Sequence, residues 1–107
     1  MRIIRQGDIL LKEIPGIPEN RRNEIQWKTS RIIAEGEITG HNHELTGGRV
    51  GVVEGWRGNS MYAVINDEGP EVILQHPEHG HLQIEPGVYE VIRQREYDEG
   101  LTRQVRD

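Results

Sequence analysis

The sequence predicts an all-β fold, a compact antiparallel β-barrel or sandwich with no substantial helix, and three observations carry that reading. Ile and Val number 13 and 8 against 2 Ala, and β-branched side chains suit a pleated, half-buried surface better than a helix. The 13 Gly and 5 Pro cut the chain into short runs, the punctuation of strands and tight turns. No stretch longer than about ten residues keeps apolar positions at i, i+3, i+4 and i+7, the spacing of an amphipathic helix. Roughly seven to nine strands at roughly 8–12-residue intervals follow. With 107 residues, one domain spanning residues 1–107 is expected.

Residues 2–5 and 8–14 read as an opening strand or pair, broken at Gly7. Pro15-Gly16-Ile17-Pro18 ends it, because proline cannot donate to a ladder. Residues 19–30, with Arg21, Arg22 and Trp27, are polar and unpatterned and read as a long loop. Residues 31–38 form the next strand, with Gly36 as a candidate bulge. Residues 43–46 lead into the Gly47-Gly48 turn, then residues 49–56 place Val50, Val52 and Trp56 on one face. Gly58-Asn59 marks a second turn before Met61, Ala63 and Ile65, which alternate with Tyr62 and Val64. Asn66-Asp67-Glu68-Gly69 closes that hairpin, and residues 71–76 return beside it. Residues 81–85 resume the sheet after Pro77 to Gly80. Pro86-Gly87 fits a type II turn, and residues 88–97 are the last strand. The tail from Asp98 adds a helical turn or a short strand.

Composition narrows the function classes. The absence of Cys excludes disulfides, thiolate zinc sites, iron–sulfur clusters and cysteine nucleophiles. A net charge of -5 argues against a nucleic-acid footprint, which needs a basic face. No apolar run approaches the ~20 residues that span a bilayer, and residues 1–8 hold no signal-peptide core, so a cytoplasmic protein without membrane association is expected. Ser30 and Ser60 are the only serines, neither in a nucleophile elbow, which argues against a Ser-His-Asp hydrolase. Gly7, Gly36 and Gly40 form no phosphate-cradling loop ahead of a helix. Phe is absent and aromatic residues are only 5%. A core that thin is commonly supplemented by a partner subunit or a metal, so a homo-oligomer or a protein partner is expected.

The sharpest feature is the histidine distribution. All five His lie in two short segments, His41-Asn42-His43-Glu44 and His76-Pro77-Glu78-His79-Gly80-His81. Residues i and i+2 of a strand share a face at roughly 6.5–7 Å, so each HxH pair can turn two imidazoles toward one ion. Imidazole suits zinc, iron, copper and nickel, and neutral His binds without burying net charge; the expected ion is zinc, iron, manganese or nickel. The expected ligands are His41, His43, His79 and His81, with His76 and Glu44 as substitutes. Glu44 and Glu78 are the candidate catalytic bases should the ion activate water. Arg93-Gln94-Arg95-Glu96-Tyr97 offers a second candidate, a strip for carboxylate or phosphate, beside its reading as a solvated strand. Trp27 and Trp56 are candidates for ligand stacking or for the core.

The HxH pair after a Gly-containing strand, followed by the Pro86-Gly87 turn and a further strand, resembles small cupins. Cupins are double-stranded β-helix proteins that hold a metal with an HxH pair, a Glu and a later His. In this chain Glu44 follows His43 directly, and His76, His79 and His81 all precede Pro86-Gly87. A wider resemblance runs through Arg5-Gln6-Gly7-Asp8, residues 34–43, His76-Pro77-Glu78-His79-Gly80, Pro86-Gly87-Val88-Tyr89-Glu90-Val91 and Arg93-Gln94-Arg95-Glu96-Tyr97. These segments are similar to short hypothetical proteins of bacterial and phage genomes, which implies a prokaryotic or phage origin.

The expectation is therefore a β-barrel or sandwich binding a divalent transition metal through its histidines. Two alternatives stand beside it. One is a metal-free interaction module, such as a phage accessory or structural protein. The other is a metal-free His41–His79 acid–base pair cleaving phosphodiesters, which the lack of any Lys beyond Lys12 and Lys28 weakens.

Overall fold

The computed structural model describes residues 1–35, 41–55 and 58–93. Within them the β-branched runs become strands β1 (Ile3–Gln6), β2 (Ile9–Ile14), β3 (Gln26–Trp27), β4 (Ile32–Glu35), β5 (Asn42–Leu45), β6 (Arg49–Gly55), β7 (Gly58–Ile65), β8 (Val72–Gln75), β9 (Leu82–Ile84) and β10 (Gly87–Arg93). One 3-10 turn, Glu19–Arg21, is the helical element among the described residues. No helix there is long and apolar enough to cross a membrane.

The strands make two antiparallel sheets, ordered β1-β2-β10-β7-β6-β3 and β4-β5-β8-β9. Neither closes into a barrel among the described residues, and the two share one apolar interior, so the all-β expectation resolves to a sandwich. The six-stranded sheet contributes Ile9, Leu11, Val50, Ala63, Ile65 and Tyr89 to that interior; Leu45, Leu74 and Ile84 come from the other sheet. Alternation explains this partition: Ile9 and Leu11 are fully buried while Leu10 between them is only half-buried. Tyr89 is the largest fully buried side chain and supplies the area that Phe gives other cores. Its hydroxyl is satisfied by donating to the Glu85 carbonyl at 2.7 Å.

Several expectations shift. The 19–30 segment is not all loop, because Gln26 and Trp27 pair with Val52 and Gly51 of β6. Gly51 permits this: a Cβ there would stand 2.6 Å from Ile25 Cδ1. The β4–β5 register slips between Ile32 and Ala34, so a bulge precedes Gly36, which itself lies outside the described residues. Gly58 and Asn59 are strand residues, paired with Gly55 and Glu54, rather than a turn. Most consequentially, β8 does not return beside β7. It crosses to the other sheet and pairs with β5 and β9. Trp27 is 37% exposed and carries the Arg49 guanidinium over its ring at 3.9 Å. Trp56, residues 94–97 and the tail lie outside the described residues.

Candidate functional site

The β5–β8 pairing brings the two histidine segments together. Glu44 faces Gln75 and Leu45 faces Leu74. Continuing that antiparallel register sets His43 against His76 and His41 against Glu78. The side chains follow: the His43 and His76 ring centroids are 4.4 Å apart, and His41 Nδ1 lies 3.5 Å from Glu78 Oε2. His79 joins from the loop after β8, with its centroid 4.5 Å from His76 and its ring nearly parallel to His43 at 6.0 Å. His41 meets His76 edge-on at 6.1 Å. Four histidines thus form one cluster, in which His43 and His76 are buried.

The other sheet closes the cluster through the β1–β2 hairpin. Gln6 pairs with Ile9 across a two-residue loop, Gly7-Asp8. Gly7 has φ +62° while no described non-glycine residue has positive φ, the pattern of a type II′ turn with glycine first. A Cβ on Gly7 would stand 2.8 Å from His79 Nε2 and 3.2 Å from His43 Cε1. Glycine is therefore needed twice here, for the backbone angle and for the imidazoles against it.

Gln6 sets the protonation pattern. It is buried, and its Nε2 donates to the carbonyls of Leu74 at 2.9 Å and Gly80 at 2.7 Å. Those bonds fix the amide orientation and leave Oε1 facing His43 Nδ1 at 2.8 Å. An amide oxygen only accepts, so the His43 proton sits on Nδ1 and Nε2 presents a lone pair. Burial, reinforced by the neighbouring His76, lowers the His43 pKa to about 4, against a smaller opposing pull from Asp8. His76 is the complement. Its Nδ1 accepts the Glu78 backbone N–H at 3.0 Å, which puts the proton of the neutral ring on Nε2. Burial, then His79 and His41, lower its pKa as well.

Asp8 faces the His43 lone pair, with Oδ1 3.6 Å from Nε2. Its Oδ2 is 3.8 Å from Arg93 Nε, and Arg93 is held by donating from Nη2 to the Glu35 carbonyl at 2.6 Å. The site is thus one carboxylate and one guanidinium beside two buried neutral imidazoles. Such a group can offer nitrogen and oxygen donors to a cation, or a neutral base to a substrate proton. As the side chains lie, rings stack on rings, and no three His, Asp or Glu donors among the described residues form a ready-made cage for an ion.

Of the residues that the sequence singles out, His41, His43, His76 and His79 meet, with His76 at the centre. His81 and Glu44 sit apart on a shallow groove of about 240 Å³ lined by Asn42, Glu44, Gln75, His76, Pro77 and His81. His76 is the wall that the groove shares with the cluster, and Glu78 stands exposed beside His41. Sequence reasoning missed Gln6, Gly7 and Asp8 as site residues and did not connect Arg93 to the histidines. Their one local signal is a polar Gln-Gly-Asp at a hairpin corner.

A family model described as a domain of unknown function (DUF8820) matches residues 5–94. That span contains Gln6, Asp8, all five histidines and Arg93. No curated protein and no solved structure matches the chain.

Proposed function

The chain belongs to the DUF8820 family, and we propose that it binds a divalent transition metal (zinc, iron, manganese or nickel) through the histidine cluster. The observation that carries this reading is His43: a buried, neutral imidazole whose lone pair is turned toward a carboxylate by a hydrogen-bonded amide behind it. Metal-bound histidines characteristically donate their other N–H to such an acceptor, which fixes tautomer and ring orientation. Neutral imidazole is the ligating form, so a pKa near 4 removes the competition from protons at neutral pH. When bound, the ion would supply Lewis acidity or an activated water. Glu78, beside His41, is the carboxylate at the cluster that would take a proton, with Glu44, in the groove across the His76 wall, as the other candidate.

The test is elemental analysis of untagged protein after dialysis, repeated on a His41→Ala/His43→Ala variant. The expected outcome is about one ion per chain, lost in the variant, in line with the affinity structural and catalytic sites share. Metal-free wild-type protein would overturn the reading and turn attention to a protein-interaction module.

A further inference from the structure

We propose that the ion is seated at the Gly7-Asp8 turn by a mixed set of donors: Nε2 of His43, Nε2 of His79 and Oδ1 of Asp8. The inference rests on the metal-binding reading above and narrows it from a histidine cluster to a three-ligand site with a carboxylate.

Two of the donors already face each other. Ligands about 2.1 Å from a common ion stand roughly 3.0–3.5 Å apart at angles between octahedral and tetrahedral. The His43 Nε2 to Asp8 Oδ1 separation is 3.6 Å, so an ion enters between them with a shift of a few tenths of an ångström, on the order of a side-chain libration. The Gln6 amide guarantees that the nitrogen on that side is the one without a proton. Arg93 Nε faces the other carboxylate oxygen, Oδ2, at 3.8 Å.

His79 is the third donor because Gly7 has no side chain. Of the atoms outside residues 6–8, its Nε2 comes nearest to where a Gly7 Cβ would stand, 2.8 Å away. The residue is exposed and is followed by Gly80, so it would reach the ion by turning its ring away from His76, whose centroid is 4.5 Å from it.

The remaining histidines are placed differently. His76 has committed Nδ1 to the Glu78 N–H, and its Nε2 carries the proton. His41 lies beyond His76, against Glu78. His81 lines the groove. Three ligands from one side, one of them a carboxylate, leave coordination positions for water or substrate. This is the chemistry of an exchangeable site for ferrous, manganous or zinc ions rather than of a closed structural cage.

Zinc and cobalt(II) titrations against a chromophoric chelator test this on wild type, Asp8→Asn, His79→Gln and His81→Ala, with cobalt absorption read in parallel. Asp8→Asn and His79→Gln are expected to weaken both ions at least roughly 100-fold and change the cobalt spectrum, with affinity at least partly restored in Asp8→Glu; His81→Ala is expected to stay within about threefold of wild type. Long-range ¹H–¹⁵N spectra of the metal-free protein are expected to place the His43 proton on Nδ1, a readout that needs no metal and no variant. Wild-type affinity in a folded Asp8→Asn, or a His43 proton on Nε2, overturns the three-donor site while leaving metal binding in place. A wild type that binds neither ion overturns both readings.

Discussion

Gln6 spends three hydrogen bonds on three different parts of the chain: the β8 backbone, the loop at Gly80 and the His43 ring. Each is buried or half-buried, where a lost partner costs on the order of 1–3 kcal/mol. The bond it accepts fixes the His43 tautomer, while burial and the neighbouring His76 hold that ring neutral, so acid acts on His43 in a defined direction. The folded pKa is about 4 against an ordinary 6.5. Above pH 6.5 both folded and unfolded states hold the ring neutral, and the shift costs nothing. Between 6.5 and 4 the unfolded chain takes up a proton that the native state refuses, so stability falls as pH falls. The shift corresponds to about 3 kcal/mol at most, and His76 adds to it in the same direction. Chelator-treated protein is expected to lose this stability from pH 6.5 downward in urea titrations, and His43→Gln to show a flatter profile. The HxH spacing made His43 legible in the sequence. Gln6 was not, since its partners lie 37, 68 and 74 residues away and no local pattern marks a residue for such distant contacts.

The β1–β2 hairpin is the element on which the pocket turns. Gly7→Ala would force a Cβ into a left-handed backbone and to within 2.8 Å of His79 Nε2. The expected cost is about 1–2 kcal/mol from the backbone alone, together with a displaced His79. Urea midpoints at pH 7.5 check the first, and the chelator titration checks the second as weakened zinc binding. This hairpin was half legible: the sequence marks a break at Gly7 between residues 2–5 and 8–14 but does not decide between one strand and a pair. The β7–β8 connection was misread for a physical reason. Asn66-Asp67-Glu68-Gly69-Pro70 announces that the chain turns, yet turn chemistry does not say whether the next strand pairs with the last one or crosses to the facing sheet. Since β8 crosses to β5, the two histidine segments meet as cross-strand neighbours. Their spacing in sequence gave no sign of that pairing.

At the scale of the molecule, a core without Phe relies on aliphatic residues from both sheets around Tyr89. Leu74 is fully buried in that core, and its backbone carbonyl takes a Gln6 bond. Leu74→Ala is expected to cost about 2–5 kcal/mol, a large share of the roughly 5–15 kcal/mol that holds a domain folded; a urea midpoint lowered without a change in slope checks it. The all-β class and the β-branched core were legible from composition and period. The allocation of strands to sheets was not, being decided by packing between segments remote in sequence. The hairpin that carries Asp8 also carries Gln6, the bridge from one sheet to the other. Whatever seats itself at that corner therefore draws on the free energy of the whole fold, and the chain acts as its own thermometer. At a free concentration one hundred times the dissociation constant, a ligand specific for the native state adds about 2.7 kcal/mol, which in a domain of this size moves the melting temperature by on the order of ten degrees. A melting curve run against a panel of divalent ions and small metabolites would rank its own ligands before any reaction is known.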